Sequence, residues 1–492
     1  MTTRRRDGLV IGAVAAYACS GVAAAAHTMV TPYDLPIPFS AYVFACAATL
    51  LLTFAVLALV VAKPEAARGI GTALFGLGRV VCVIGRVAAV FLLGLTVVAG
   101  LIGTPSPVAN IGPTLFWTGL LVVLTAVTAV AGDFFQIVNP WRALLEWCGI
   151  GARPRLAYPP WLSFWPAFAF YLALAWLELV APPRPSLLAI SLIVYTVATV
   201  AGAALFGRDA WLERAEFFGV FYRIVGKIAP ISYLRTHEGA RGDDARGDGA
   251  RGGWRLLHRP AFSGALEEMP PDMSLVVFVL FMLAVTTYDG VWQTSFWAGL
   301  YWGNLMQWLR PLWGDDMARA QAILGPGYLV YQRGGLIAAP FVYLAIYMAV
   351  MAMVRTAIGG RLTTRALALR FVFSLVPIAV AYNIAHALTL LLTVVPVIPF
   401  LLGDPFGFGW NPFGLPLMSA EPDSLQMGEV WHVEVFLILA GHVASVYIAH
   451  RAALRVCARP REARLAELPL VLLMVCYTFL GLVVLSLPLA LH

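Results

Sequence analysis

Charged side chains are scarce in this chain of 492 residues. Asp, Glu, Lys and Arg together make up 12% of it, whereas hydrophobic residues make up 61%. Soluble domains carry about 25% charged residues, so this composition excludes an ordinary soluble protein. The formal net charge of +7 does not indicate nucleic-acid binding, because the basic residues are scattered along the chain.

The sequence patterns of common catalytic and metal sites are also missing. There is no CxxC spacing, GxSxG elbow, HExxH helix, Walker loop or His-x-His cluster. The six cysteines are dispersed and several lie inside apolar runs: Cys19, Cys46, Cys82, Cys148, Cys457 and Cys476. We expect them to pack as small hydrophobic side chains and not to form disulfides or metal thiolates.

Long apolar runs fill most of the remaining sequence. A hydrocarbon core of about 30 Å needs roughly 20 helical residues, and ten runs have about that length. They cover residues 38–62, 87–103, 114–136, 164–181, 187–206, 274–296, 334–354, 371–394, 431–450 and 468–489. The sequence therefore predicts an all-α, polytopic membrane helix bundle with about ten transmembrane helices after an N-terminal signal segment.

The distribution of positive charge predicts the orientation of this bundle. If the N-terminal segment starts in the cytoplasm, Arg184, Arg310, Arg319 and Arg333 face outward. The other 29 of the 33 Lys and Arg residues then lie on the cytoplasmic side, as the positive-inside rule requires. We expect a bacterial inner-membrane protein whose mature N-terminus and C-terminus are both periplasmic, with the lipid bilayer as its partner.

The N-terminus has the pattern of a secretory signal. Arg4 to Arg6 precede an apolar run from Leu9 to Ala26 that ends in small residues. Cleavage after Ala26 would make His27 the first residue, and a terminal amine beside an imidazole suits copper. The alternative is an uncleaved signal-anchor, in which His27 is an ordinary loop residue.

The rest of the chain divides into two membrane parts around one large cytoplasmic loop. We expect membrane helices in residues 27–206 and 273–492, and a cytoplasmic loop at 207–272. Within this loop, Glu238 to Gly253 is rich in Gly, Arg and Asp, which predicts a flexible linker. Residues Trp211 to Ile228 mix aromatic and basic side chains, which favours an amphipathic helix at the membrane surface.

Four ionisable residues are predicted to lie at membrane depth, where an unpaired charge is costly. Glu178, Asp289 and His386 each fall about 14–15 residues into a helix that runs outward, roughly 21–23 Å above the cytoplasmic face. His442 falls about 16 Å below the periplasmic face. Asn383 shares a helix face with His386 because it precedes it by three residues.

We interpret these four residues as a candidate catalytic layer. Two carboxylates and two imidazoles could form a proton relay, an acid–base pair or a metal site. Such a site could use His386 and His442 as ligands for a divalent metal such as copper or zinc. The alternative is that each residue is structural and hydrogen-bonds to a neighbouring helix.

Short motifs spread along the whole chain resemble those of multi-pass bacterial membrane proteins called fenitrothion hydrolases. The motifs are His27 to Pro38, Asn110, Pro113-Thr114, Gly132-Asp133, Asn139 to Arg142, Trp176 to Glu178, Asp289-Gly290, Ala385-His386, Asp404 to Gly407, Gly441-His442 and Tyr477-Thr478. The resemblance implies the same multi-pass architecture and hydrolysis of an organophosphorus phosphotriester.

The resemblance and the buried residues suggest two classes of function. In a hydrolase, His386 and His442 would be bases or metal ligands and Glu178 or Asp289 would activate water, since phosphotriester hydrolysis needs an activated nucleophile. A small apolar substrate would enter from the lipid. In a proton-coupled or metal-ion transporter, including a copper-handling protein, the same side chains would carry protons or an ion. A structural subunit of a membrane complex is a third alternative.

Overall fold

The computed structural model describes most of the membrane part of the chain. The described residues are 37–61, 72–235, 254–267, 269–314, 316–412, 414, 427–457 and 459–486. The predicted signal segment, His27 and the Gly-rich run from Glu238 to Gly253 lie outside them.

The described residues form an all-α bundle, which confirms the predicted fold class. Nine of their helices are long and apolar enough to cross a membrane. These are α1 (Phe39–Val60), α2 (Arg79–Ile102), α3 (Ile111–Ala131), α7 (Pro185–Phe206), α11 (Met273–Trp292), α13 (Met317–Ala357), α14 (Thr364–His386), α16 (Met427–Val456) and α17 (Pro460–Ser486).

Shorter helices connect or flank these spans. They are α4 (Phe135–Val138), α5 (Pro140–Trp147), α6 (Trp165–Leu179), α8 (Arg208–Arg214), α9 (Phe217–Gly226), α10 (Ser263–Glu267), α12 (Ser295–Trp308) and α15 (Leu388–Gly403).

Three predicted segments differ from the structure. The run predicted at 164–181 is α6, which has 15 residues and a length of about 22 Å, because prolines at both ends delimit it. The run predicted at 371–394 is interrupted after His386, where α14 ends and α15 begins. The predicted surface helix at Trp211 to Ile228 is instead α8 and α9, and nearly all of α9 is buried in the core, because its apolar residues surround the helix.

The central element of the bundle is α11. Every residue from Ser274 to Gly290 is buried, as expected for a helix that is apolar on all sides. It packs against α6, α13, α14 and α17. Its position buries most of the Asp289 side chain in protein, so this carboxylate needs partners from neighbouring helices.

A small antiparallel sheet, which the sequence did not predict, flanks the Gly-rich run. Strand β2 (Ile231–Arg235) pairs with β3 (Trp254–His258), and β3 also pairs with β1 (Thr72–Leu77). The strand order is therefore β1-β3-β2. The sheet links the segment after α1 to the two segments that flank the Gly-rich run.

A buried ion pair, also missed from the sequence, joins α1, α16 and α17. His450 Nδ1 lies 2.9 Å from both carboxylate oxygens of Glu467, and His450 Nε2 lies 2.8 Å from the carbonyl oxygen of Val61. The two side chains are 2% and 1% exposed. The Val61 carbonyl can only accept, so Nε2 carries a hydrogen, and a second hydrogen is shared between Nδ1 and the Glu467 carboxyl group.

Replacing Glu467 by Gln should therefore destabilise the bundle strongly. The variant removes one partner of a buried acid–imidazole pair, and breaking such a pair costs about 3–5 kcal/mol of unfolding free energy. Glu462→Gln is the matched control, because Glu462 pairs with the exposed Arg361, and such pairs contribute about 0–1 kcal/mol. Thermal unfolding in detergent measures both variants. Equal losses in the two would contradict a stabilising role of the buried His450–Glu467 pair.

Candidate functional site

Three of the four predicted intramembrane residues line one cavity. Glu178 is the fourteenth of the 15 residues of α6, Asp289 lies one turn before the end of α11, and His386 is the last residue of α14. All three helices therefore end close to the cavity, and its lining includes all three side chains. The structure brings these residues together, while their catalytic role stays a prediction.

Asp289 and His386 form a direct pair inside this cavity. Nε2 of His386 lies 2.7 Å from Oδ2 of Asp289, which is the distance of a charge-assisted hydrogen bond. Trp292 donates its indole N–H to the other carboxylate oxygen of Asp289 at 3.3 Å. The Asp289 side chain is 9% exposed and that of His386 is 29% exposed. The carboxylate is therefore the buried member of the pair, and the imidazole faces the cavity.

The backbone places His386 at a break in a transmembrane helix. The N–H of Ala387 still bonds to the carbonyl of Asn383, but Ala387 leaves the helical conformation with ψ near 2°. The chain then continues as α15, which contains Pro396 and Pro399. Broken helices at membrane depth occur where the freed backbone groups line a cavity or pack in protein. The carboxyl end of α14 also carries partial negative charge, which favours a cation at His386.

A second irregular segment forms one wall of the cavity. Residues Thr114–Val123 of α3 are a π-helix, and Trp117, Leu121 and Val122 from it line the cavity. π-helical segments are rare and are frequent at functional sites. Asn110 caps the start of α3, one turn before this segment, by accepting a hydrogen bond from Gly112 N. The sequence did not predict this wall, although Asn110 and Pro113-Thr114 are among the motifs of the family resemblance.

The other walls combine aromatic and aliphatic side chains. Tyr171 from α6, Phe217 and Phe221 from α9, and Asn383 from α14 belong to the lining, together with several aliphatic residues. The side-chain oxygen Oδ1 of Asn383 is buried and has no hydrogen-bond partner among the described residues. The cavity has a volume of about 110 Å³. It is smaller than the roughly 150 Å³ apolar cavity that holds benzene, so it admits a small molecule or the head of a larger one.

His442 is not among the residues that line this cavity. It is 1% exposed, its Nδ1 donates to the carbonyl of Ile438 at 2.8 Å, and its Nε2 has no partner among the described residues. The preceding Gly441 has a packing role, because a Cβ there would lie 2.5 Å from Cβ of Ala381. The structure therefore separates His442 from the Asp289–His386 pair that the sequence grouped with it.

The described residues do not fit a copper or zinc site. No group of three or more His, Cys, Asp or Glu side chains in the described part of the chain could hold a metal ion. His386 and His442 lack the shared third ligand that such a site needs. The predicted metal ligand His27 lies outside the described residues.

The fold and the cavity define an all-α, multi-pass membrane protein with a buried carboxylate–imidazole pair where three of its helices end. Comparison of the chain with protein-family models, curated proteins and solved structures found no match. The resemblance to fenitrothion hydrolases therefore stays an expectation.

Proposed function

We propose that the protein is a proton-coupled transporter in which the Asp289–His386 pair takes up and releases the coupling proton. The observation that carries this proposal is the 2.7 Å contact between the two side chains inside a cavity. Ionisable residues in transmembrane segments commonly mark ion pathways and proton relays.

The geometry of the pair assigns a role to each atom. In the neutral ring, Nε2 donates its hydrogen to the Asp289 carboxylate, so the lone pair is on Nδ1. A proton arriving from the cavity binds at Nδ1 and converts the ring to an imidazolium. The Asp289 carboxylate stabilises this cation because their charges are opposite and adjacent.

The surrounding architecture is also typical of transporters. Transport sites lie near the middle of the membrane at interrupted helices, whose unpaired backbone carbonyls face the cargo. The break at His386 and the π-helical wall at Thr114–Val123 are two such interruptions around one cavity. Glu178 adds a second carboxylate that can accept a proton or contact the cargo.

Asp289→Asn should abolish proton-coupled flux, because an amide cannot stabilise the imidazolium. Proteoliposomes with an acidic lumen and an enclosed pH dye are mixed with a panel of small cationic, neutral and anionic solutes. With the native chain, we expect solutes of one charge class to change the pH of the lumen. With Asp289→Asn, we expect the same solutes to leave that pH unchanged. The control Asp209→Asn changes a 62% exposed surface carboxylate and should retain the flux.

Two outcomes would contradict the proposal. Flux in Asp289→Asn equal to that of the native chain would remove the pair from the mechanism. The absence of a response to every solute class, with protein present in both orientations, would remove proton-coupled transport itself.

The same pair favours a second candidate, hydrolysis of a neutral phosphotriester, as the resemblance implies. His386 Nδ1 would take a proton from water, the hydroxide would attack phosphorus, and the alkoxide or phenolate would leave with its bonding electrons. The anionic product would be repelled by Glu178 and Asp289. The cavity volume admits the phosphoryl head, and the apolar substituents would stay in the lipid.

Hydrolysis of a nitrophenyl phosphotriester by membranes tests this candidate. Turnover that falls at least 100-fold in His386→Ala at matched expression would support general-base catalysis, which contributes about 10²–10⁴-fold. His442→Ala is the control, because His442 lies outside the cavity lining. Absence of turnover in native membranes, with and without added divalent metal, would rule this candidate out.

A further inference from the structure

We infer that the cavity is a binding site for a small organic cation of the ammonium class. The inference rests on the proposed transport function and names the cargo that function would carry. It follows from four properties of the cavity: the charge of its lining, the helix ends around it, its aromatic walls and its size.

The charge of the lining favours a cation. Two carboxylates, those of Glu178 and Asp289, line the cavity, and none of its described lining residues is Lys or Arg. The charged groups that act on Glu178 are Asp289 and His386. Those that act on His386 are Asp289, Glu178 and Glu434. The described lining therefore offers two carboxyl groups and one imidazole, and no permanently positive side chain.

The helix ends increase this preference. Helices α6, α11 and α14 have their carboxyl ends beside the cavity, and the last carbonyl groups of a helix carry partial negative charge. The buried and unpartnered Oδ1 of Asn383 is one more hydrogen-bond acceptor in the lining. A ligand with N–H donors or a diffuse positive charge complements these groups, whereas an anion does not.

The aromatic walls select an organic cation over a bare metal ion. Trp117, Tyr171, Phe217 and Phe221 line the cavity, and the faces of such rings attract alkylammonium groups. The described residues provide no set of three metal ligands. The volume of about 110 Å³ suits an ion the size of methylammonium up to tetramethylammonium.

Cation and proton would then compete for the same cavity. A bound ammonium ion and a protonated His386 repel each other because both are positive and both depend on the same carboxylates. Protonation of His386 therefore expels the cation, and binding of the cation expels the proton. This exchange is the basis of proton–cation antiport.

Direct binding to the full chain in detergent, at a pH where the native protein is stable, tests the inference without any transport assay. Titration calorimetry with tetramethylammonium is compared with its neutral analogue tert-butanol. We expect tetramethylammonium to bind and tert-butanol not to bind. Glu178→Gln should weaken tetramethylammonium binding at least tenfold. Trp117→Leu should weaken the binding of tetramethylammonium more than the binding of methylammonium.

The control variant is Glu213→Gln, which changes an exposed carboxylate of α8 and should bind like the native chain. Unchanged thermal unfolding of Glu178→Gln and Trp117→Leu shows that they are folded. Equal binding of tert-butanol, or unchanged affinity in folded Glu178→Gln, would overturn the inference. Proton-coupled flux of a neutral solute without cation binding would overturn it and leave the proposed transport function intact.

Discussion

The structure depends on how the carboxylate of Asp289 is accommodated inside a bundle of apolar helices. Asp289 lies on α11, whose residues from Ser274 to Gly290 are all buried, and its side chain is only 9% exposed. An uncompensated charge there would cost several kcal/mol. The imidazole of His386 compensates it from a second helix at 2.7 Å, and the break after His386 leaves a cavity beside the pair. Pairing and cavity together create a group that is stable in the membrane and still accessible.

The contrast with the second acid–imidazole pair shows why accessibility matters. His450 and Glu467 are 2% and 1% exposed, and both ring nitrogens of His450 are bonded. Such a pair has no free position for a proton or a ligand and acts as a link between helices. His386 has one nitrogen bonded to Asp289 and remains 29% exposed beside a cavity. Both pairs consist of a carboxylate and an imidazole, but their roles differ. The number of bonded ring nitrogens and the exposure of the imidazole determine the role of each pair.

The sequence predicted the bundle and grouped three residues that line the cavity, but it did not predict their contacts. Run lengths placed Glu178, Asp289 and His386 in one layer, because helical rise converts residue number into depth. The same calculation grouped His442 with them, since depth does not define which way a side chain faces. The π-helix at Thr114–Val123 and the entry of Phe217 and Phe221 into the core depend on tertiary packing, which overrides local pattern. The His450–Glu467 pair lies near the helix ends, where charges are common and no depth argument applies.

The protonation of His386 tests the central claim most directly. Nitrogen NMR of protein labelled at histidine, with His386→Gln to assign the signal, reports the hydrogen on each ring nitrogen as pH is varied. The account predicts that Nε2 keeps its hydrogen throughout, bonded to Asp289, while Nδ1 gains and loses one. It also predicts that Asp289→Asn changes the pH at which this happens. A ring whose Nε2 loses its hydrogen first, or whose titration is unchanged in Asp289→Asn, would contradict the account.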